Sequence, residues 1–282
     1  VYPLLIASKQ DICAMNMASY MINQCGMQSI YNNSKNELLR CQYFDLLTID
    51  GNALEMDDIN KYINNGEEEI DKYTCFIFLS RHRSESSKPT LTCHSTGNFG
   101  DVVVAGGNAH ELALTYPSLQ KCYMLKLWSN RGKVIDHGYD IVIEATHHGP
   151  TSLPKPVLFI EIGSSEKQWN DINAISTVCE SLLATVIDFK QFNKVAIALG
   201  GTHYPYKFTN MLIESDIALA SVASKHNLMH IDKSMLKQMI DKSVEEVKYI
   251  ILDWKGLGRE KDRLVSLIND FSYEYGLEVI KV

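Results

Sequence analysis

The sequence predicts an α/β protein with a mainly parallel sheet flanked by helices, and two observations lead to it. Short apolar runs bounded by turn residues alternate with stretches of helical periodicity, the pattern of strands joined by crossover helices. Most of those runs are continuous rather than alternating polar with apolar, as strands buried on both faces are.

In chain order, the apolar run at residues 2–7 reads as the first strand and 11–25 as a helix. Strands follow at 44–49, 75–79 and 102–105, then a helix at 110–128. Strands at 141–145 and 157–162 precede a helix at 170–189, and a strand at 195–199 precedes one at 208–226. A strand at 249–252, a helix at 258–275 and a strand at 277–282 close the chain. No internal repeat or linker breaks this order, so one domain over 1–282 is expected.

The 282 residues are 45% hydrophobic and 22% charged, with no apolar run approaching a membrane span. The opening VYPLLIASKQ lacks a basic flank and reads as a buried strand rather than a leader. Seven cysteines without a CxxC pair argue for reduced thiols, hence a cytoplasmic protein, with a monomer as the working expectation. Cys93, beside His94, reads as a small buried hydrophobe. The net charge is −7, but residues 44–71 hold nine acids and one lysine, a net of −8. That segment reads as a solvated acidic face or insertion, and the remainder, at about +1, leaves room for a basic patch.

Two corners carry the chemistry. EATHHGPTS (144–152) sets His147 and His148 where a strand runs out, and ALGGTHYPYKFT (198–209) repeats the arrangement with His203. Loops at the carboxyl ends of parallel strands gather on one edge, so these histidines, with His82 and His94, should converge there. Catalytic zinc takes three N or O ligands from separate elements and keeps one position open for water. His94, His148 and His203 are therefore the candidate metal ligands, with Glu161 as ligand or base. Neighbours on a strand point to opposite faces, so His147 joins His148 on one ion only if the chain turns between them. Gly200 and Gly201 allow close backbone approach, and their N–H groups with Lys207 could hold a phosphate or an oxyanion in a metal-free alternative. The loop at 80–90 carries Arg81, His82, Arg83 and Lys88, groups suited to phosphates, while Tyr204 or Tyr206 could stack on a base. A metal-dependent amidohydrolase or peptidase, or a nucleoside-phosphorylase-like enzyme, would use the same parts on a small substrate.

Four segments together, SRHRSESSKPTLTCHSTGNFG (80–100), ATHHGPTSLPKPVLFIEIGSSEKQW (145–169), ALGGTHYPYKFT and LDWKGLG (252–258), make a more specific match. In them the chain resembles the D-aminoacyl-tRNA deacylase family of archaea and plants. The resemblance runs nearly end to end and implies a phosphorylase or peptidyl-tRNA hydrolase-like α/β fold with associated zinc. It implies hydrolysis of the ester of D-aminoacyl-tRNA, D-tyrosyl-tRNA among them, at the acceptor end. The positions it carries over are His82, His94, Asn98, His147, His148, Glu161, His203 and Lys207; the acidic segment 44–71 does not align with it. The expected catalytic residues are thus His148, Glu161, His203 and Lys207, with Arg81, His82, Arg83, Asn98, His147, Gly200 and Gly201 binding substrate.

Overall fold

The first strand, β1 (Leu4–Ser8), is buried on both faces, as its unbroken LLIAS run requires. It lies inside an eight-stranded sheet of a computed structural model that describes residues 1–63, 70–84 and 87–282. Part of the acidic segment (64–69) and of the loop at 80–90 (85–86) lies outside the described residues. Asp11 caps α1 (Ile12–Cys25) by accepting from the amides of Cys13 and Ala14. β2 (Gln28–Asn32), β3 (Glu37–Arg40) and β4 (Asp45–Ile49) bring the chain back to pair β4 parallel with β1. On the other side of β1, β5 (Phe76–Arg83) and β10 (Val157–Ser164) continue the parallel run. Next come β6 (Thr90–His94), antiparallel to β10, and β9 (Asp140–Ile143), parallel to β6, while β7 (Gly97–Asn98) and β8 (Glu111–Leu112) pair with each other apart from the sheet.

A second sheet, all parallel, has the order β12 (Ile217–Ala223), β11 (Lys194–Leu199), β13 (Val247–Leu252), β14 (Glu278–Lys281). It is stitched to the first through Ala145 N–H to His203 O and Thr146 N–H to Val222 O, both 2.9 Å. One face of the large sheet packs under α1, α2 (Pro117–Ser129) and α4 (Ile172–Ile187); short α3 (Glu166–Trp169) leads into α4. The same core reaches α5 (Tyr206–Glu214) through Phe208 and Leu212. The small sheet's far face holds a separate core with α6 (Lys233–Asp241) and α7 (Lys261–Tyr275).

The α/β class with a mainly parallel, helix-flanked sheet is therefore observed, with several local differences. Residues 102–105 form no strand: Val102 and Val104 are exposed, and Gly106 and Gly107, both at positive φ, bend the chain just beyond. The helix expected over 208–226 stops at Glu214 and gives way to β12, because IALASVA is a run buried on both faces. The helix expected from 110 starts only at Pro117, which occupies the first turn where its missing N–H is harmless. β6, expected as loop, is a strand, and His82 lies within β5 rather than after it. All seven cysteines are free thiols. Cys93 is fully buried, and burial pushes its thiol well up, as an inert packing residue requires. Asp45 departs from the solvated acidic face: it is fully buried, accepting from Arg40, Tyr2 and Tyr73, with Lys72 at 2.8 Å. No described helix is long and apolar enough to cross a membrane.

Candidate active site

Strand register builds the site. Side chains two apart share a face of a strand. Phe159, Glu161 and Gly163 of β10 therefore stand in a row, beside Phe78, Ser80 and His82 of β5 and His94, Thr92 and Thr90 of β6. The row is apolar at one end, where Phe78 stacks on Phe159 and His94 on Phe159, and becomes polar at Glu161. Gly163 matters here because a Cβ on it would come within 2.6 Å of the His82 ring, so the glycine lets that ring lie across the strand toward Glu161. The histidines thus converge on a sheet face as well as at strand ends. His94 ends β6, His147 and His148 follow β9, and His203 follows β11.

Two buried carboxylates anchor the cluster. Glu161 accepts from His82 Nδ1 at 3.1 Å, and its other oxygen lies 3.7 Å from His94 Nε2. Glu144 accepts from His203 Nε2 at 2.8 Å and lies 3.3 Å from His82 Nδ1 and 3.7 Å from His147 Nε2. Burial alone would raise both carboxyl pKa values. The His203 hydrogen bond and the surrounding imidazoles hold Glu144 well below the usual range, and the hydrogen bond from His82 with the nearby His94 ring lowers Glu161. The same pairing raises His82 and His94 against the pull of burial. His147 and His148, by contrast, are pulled down by burial and by neighbouring His94, His148 to about 4, so both are neutral at pH 7.

The chain does turn between the paired histidines: His148 has φ +44°, a region that non-glycine residues rarely adopt. Their ring centroids are 4.3 Å apart, and each is within 4.8 Å of His94. In all three, Nδ1 meets a backbone carbonyl: Ser95 O at 3.1 Å for His94, Ala145 O at 2.8 Å for His147 and Gly149 O at 2.7 Å for His148. A carbonyl only accepts, so each Nδ1 carries the proton and each Nε2 is left with a lone pair. His94 Nε2 is buried without a hydrogen-bond partner among the described residues. One nitrogen from each of His94, His147 and His148 lies within 4.8 Å of the others, and this donor set suits a divalent ion such as zinc. The expected trio of His94, His148 and His203 is not what assembles. His203 groups instead with Glu144 and His147, and Glu161 with His82 and Glu144.

A cavity of about 610 Å³ opens onto the cluster, lined by His82, His147, His148, Glu161 and His203 together with Arg81, Arg83, Asp11 and Ser80. Arg81 and Arg83 sit 5.6 and 5.3 Å from the Trp169 ring. Tyr204 reaches the cluster from a neighbouring cavity, its hydroxyl 2.6 Å from His82 Nε2. Asn98 stands on the far side of His147 and His148, where its amide holds the carbonyls of Gly106 and Asn108 at 3.0 and 3.1 Å.

Two expected groups lie elsewhere. Lys207 pairs with Asp253 at 2.6 Å and lines a different cavity with Gly201. The Gly200 N–H donates to Ala223 O at 2.9 Å and is not available to an oxyanion. α5 begins at Tyr206 and carries Lys207 away from the sheet face, which is why nearness in sequence to His203 misleads. The main omission is Glu144. An acid ending the apolar run DIVI is as conspicuous as Glu161 inside VLFIEIG, since neither position tolerates an unpaired charge. Asp11 is a second: besides capping α1 it accepts from Arg81 N–H at 2.9 Å and reaches the cavity.

Known proteins match this chain at family level. Residues 69–279 match the family model described as D-aminoacyl-tRNA deacylase. A D-aminoacyl-tRNA deacylase of Cenarchaeum symbiosum is 39% identical over 98% of both chains, and one of Pyrococcus furiosus is 36% identical over 99% of both. A crystal structure of a conserved protein of unknown function superimposes with a TM-score of 0.89 at 25% identity, covering 99% of this chain and 95% of that one. With the family model spanning most of the chain and relatives above 30% identity along nearly all of it, this chain belongs to the D-aminoacyl-tRNA deacylase family.

Proposed function

We propose that this chain hydrolyses the ester joining a D-amino acid to the acceptor end of tRNA, releasing free amino acid and reusable tRNA, at the histidine and glutamate cluster. The observation that carries the reading is the clustering of five imidazoles with two buried carboxylates, four of those imidazoles and Glu161 lining one cavity, in a chain of this family. Ester hydrolysis needs a water deprotonated and the carbonyl oxygen stabilised as charge develops on it.

His203 is the base in this reading. Its Nε2 is held by Glu144 at 2.8 Å, while its Nδ1, without a hydrogen-bond partner among the described residues, is left to take the proton from water. Glu144 fixes that tautomer and stabilises the imidazolium once the proton has moved. Glu161 and Tyr204 hold His82 from its two nitrogens, so the His82 ring forms a fixed wall against which the ester is positioned. Arg81 and Arg83 contact the phosphate of the terminal nucleotide. His94, His147 and His148 would hold a divalent cation, zinc by the character of its ligands. When bound, such an ion supplies Lewis acidity toward the ester carbonyl and lowers the pKa of a bound water toward about 7. Lys207 and the Gly200 amide have no part in the step. The chain is taken to act as one unit over 1–282, as a monomer, in the cytoplasm.

The test is release of tyrosine from D-tyrosyl-tRNA and L-tyrosyl-tRNA in parallel, with chelation and then zinc. Release from the D ester alone, lost on chelation and restored by zinc, is expected. Chelator-insensitive, D-specific release would keep the function and remove the metal from it, and no release from either ester would overturn the reading.

A further inference from the structure

We propose that the cavity at the carboxyl ends of β11 and β13 is a phosphodiester subsite. It would hold the single-stranded acceptor end of tRNA just upstream of the nucleotide whose ester occupies the histidine and glutamate cluster. The inference rests on the reading that the cluster acts on aminoacyl-tRNA.

Topology makes the crevice. From β11 the chain runs through α5 to β12 on one side, then returns past β11 to β13 and on through α7 to β14. α5 packs on one face of the small sheet, through Phe208 and Leu212, and α7 on the other, through Leu264, Ile268 and Phe271. The loops after β11 and β13 therefore part, and open parallel sheets take ligands at such a reversal of strand order. Here the opening has a volume of about 730 Å³, larger than the cavity over the cluster.

Its chemistry suits a nucleic-acid strand. Lys225 and Lys255 line it and have no ion-pair partner among the described residues, whereas Lys207 is neutralised by Asp253. The Tyr206 ring, half-exposed with its hydroxyl held 2.9 Å from Asp140, offers a surface on which a base can stack. Tyr204 joins the two cavities: it lines this one while its hydroxyl touches His82 in the other.

Lys225→Glu and Lys255→Glu, singly and together, test the assignment by three readouts. For D-tyrosyl-tRNA the double variant should raise KM roughly tenfold with kcat retained. For uncharged tRNA, the slope of log affinity against log salt should fall by about 1.4, or 0.7 for each lost phosphate contact to a single strand. Hydrolysis of D-tyrosyl-adenosine, too short to reach the cavity, should be unaltered and serves as the control for folding. An unchanged KM and salt slope would overturn the subsite, as would an equal loss on both substrates. If the wild type cleaves neither ester yet binds uncharged tRNA with a slope that the lysine variants reduce, the subsite stands and the proposed reaction falls.

Discussion

Glu144 and His203 form the pair on which the proposed chemistry turns. Replacing His203 with Asn keeps a polar group of similar breadth but removes the base, and kcat/KM on D-tyrosyl-tRNA should fall by about 10² to 10⁴. Glu144→Gln should lose a comparable factor because the amide no longer enforces the tautomer. The double variant should be little worse than either single one, since residues that act as a unit are not additive. Single-turnover release of tyrosine measures all three. Gly163 tests the geometry rather than the acid–base chemistry. In Gly163→Ala the new Cβ would come within 2.6 Å of His82, so that ring must move off Glu161. A displacement near 1 Å can cost roughly 100-fold in rate, and a fall in kcat of that order is expected with the circular-dichroism spectrum unchanged.

Strand register sets the floor of this site. Period-2 alternation on β5, β6 and β10 sets His82, His94 and Glu161 on one face, and a one-residue slip of β10 would turn Glu161 into the helix-covered core. At the far side of the large sheet, β4 starts with Asp45, whose carboxylate ties β3 through Arg40 and reaches Tyr2, Lys72 and Tyr73. Burial works to raise its pKa, but the hydrogen bonds from Arg40, Lys72, Tyr2 and Tyr73 outweigh it and hold the carboxyl at about 2, against 3.8 ordinarily. Between those values the unfolded chain binds the proton and the folded one does not. The stabilisation is therefore complete above about pH 4 and is lost as pH falls toward 2, by about 2 kcal/mol. Asp45→Asn should destabilise the protein by about 3 kcal/mol at pH 7, because the cations around it are left uncompensated. It should also flatten the acid limb of stability between pH 4 and 2, and urea unfolding at a series of pH values measures both effects.

Taken together, the two sheets bring the histidine and glutamate cluster and the lysine-lined crevice to either side of Tyr204. The reaction and the strand-binding role can therefore fail separately. Chelation should abolish release from the D ester while leaving uncharged tRNA bound, and raised salt should do the reverse, weakening binding without altering hydrolysis of the short adenosine ester. Filter binding and ester hydrolysis on the same preparation distinguish the two. The small sheet has its own core with α6 and α7, yet it contributes His203 through the stitch at Ala145. Neither sheet by itself carries the complete cluster.

The α/β class, most of the large parallel strands and the identity of the histidine corners were legible in the sequence. Continuous apolar runs, turn residues and the family's motifs are local signals, and they survive in one dimension. Hidden were β12, whose IALASVA run is short enough to pass for helix, and the valines at 102–104, apolar residues that no neighbouring strand or core takes up. The partners within the site were hidden too. Glu144 stands beside its strand's end but becomes a functional candidate only when His203, 59 residues away, arrives at 2.8 Å. Lys207 stands four residues from His203 yet turns away along α5 to Asp253. Residue type is encoded locally, whereas which buried charges meet depends on strand register and on how two sheets dock, and those follow from packing the entire chain.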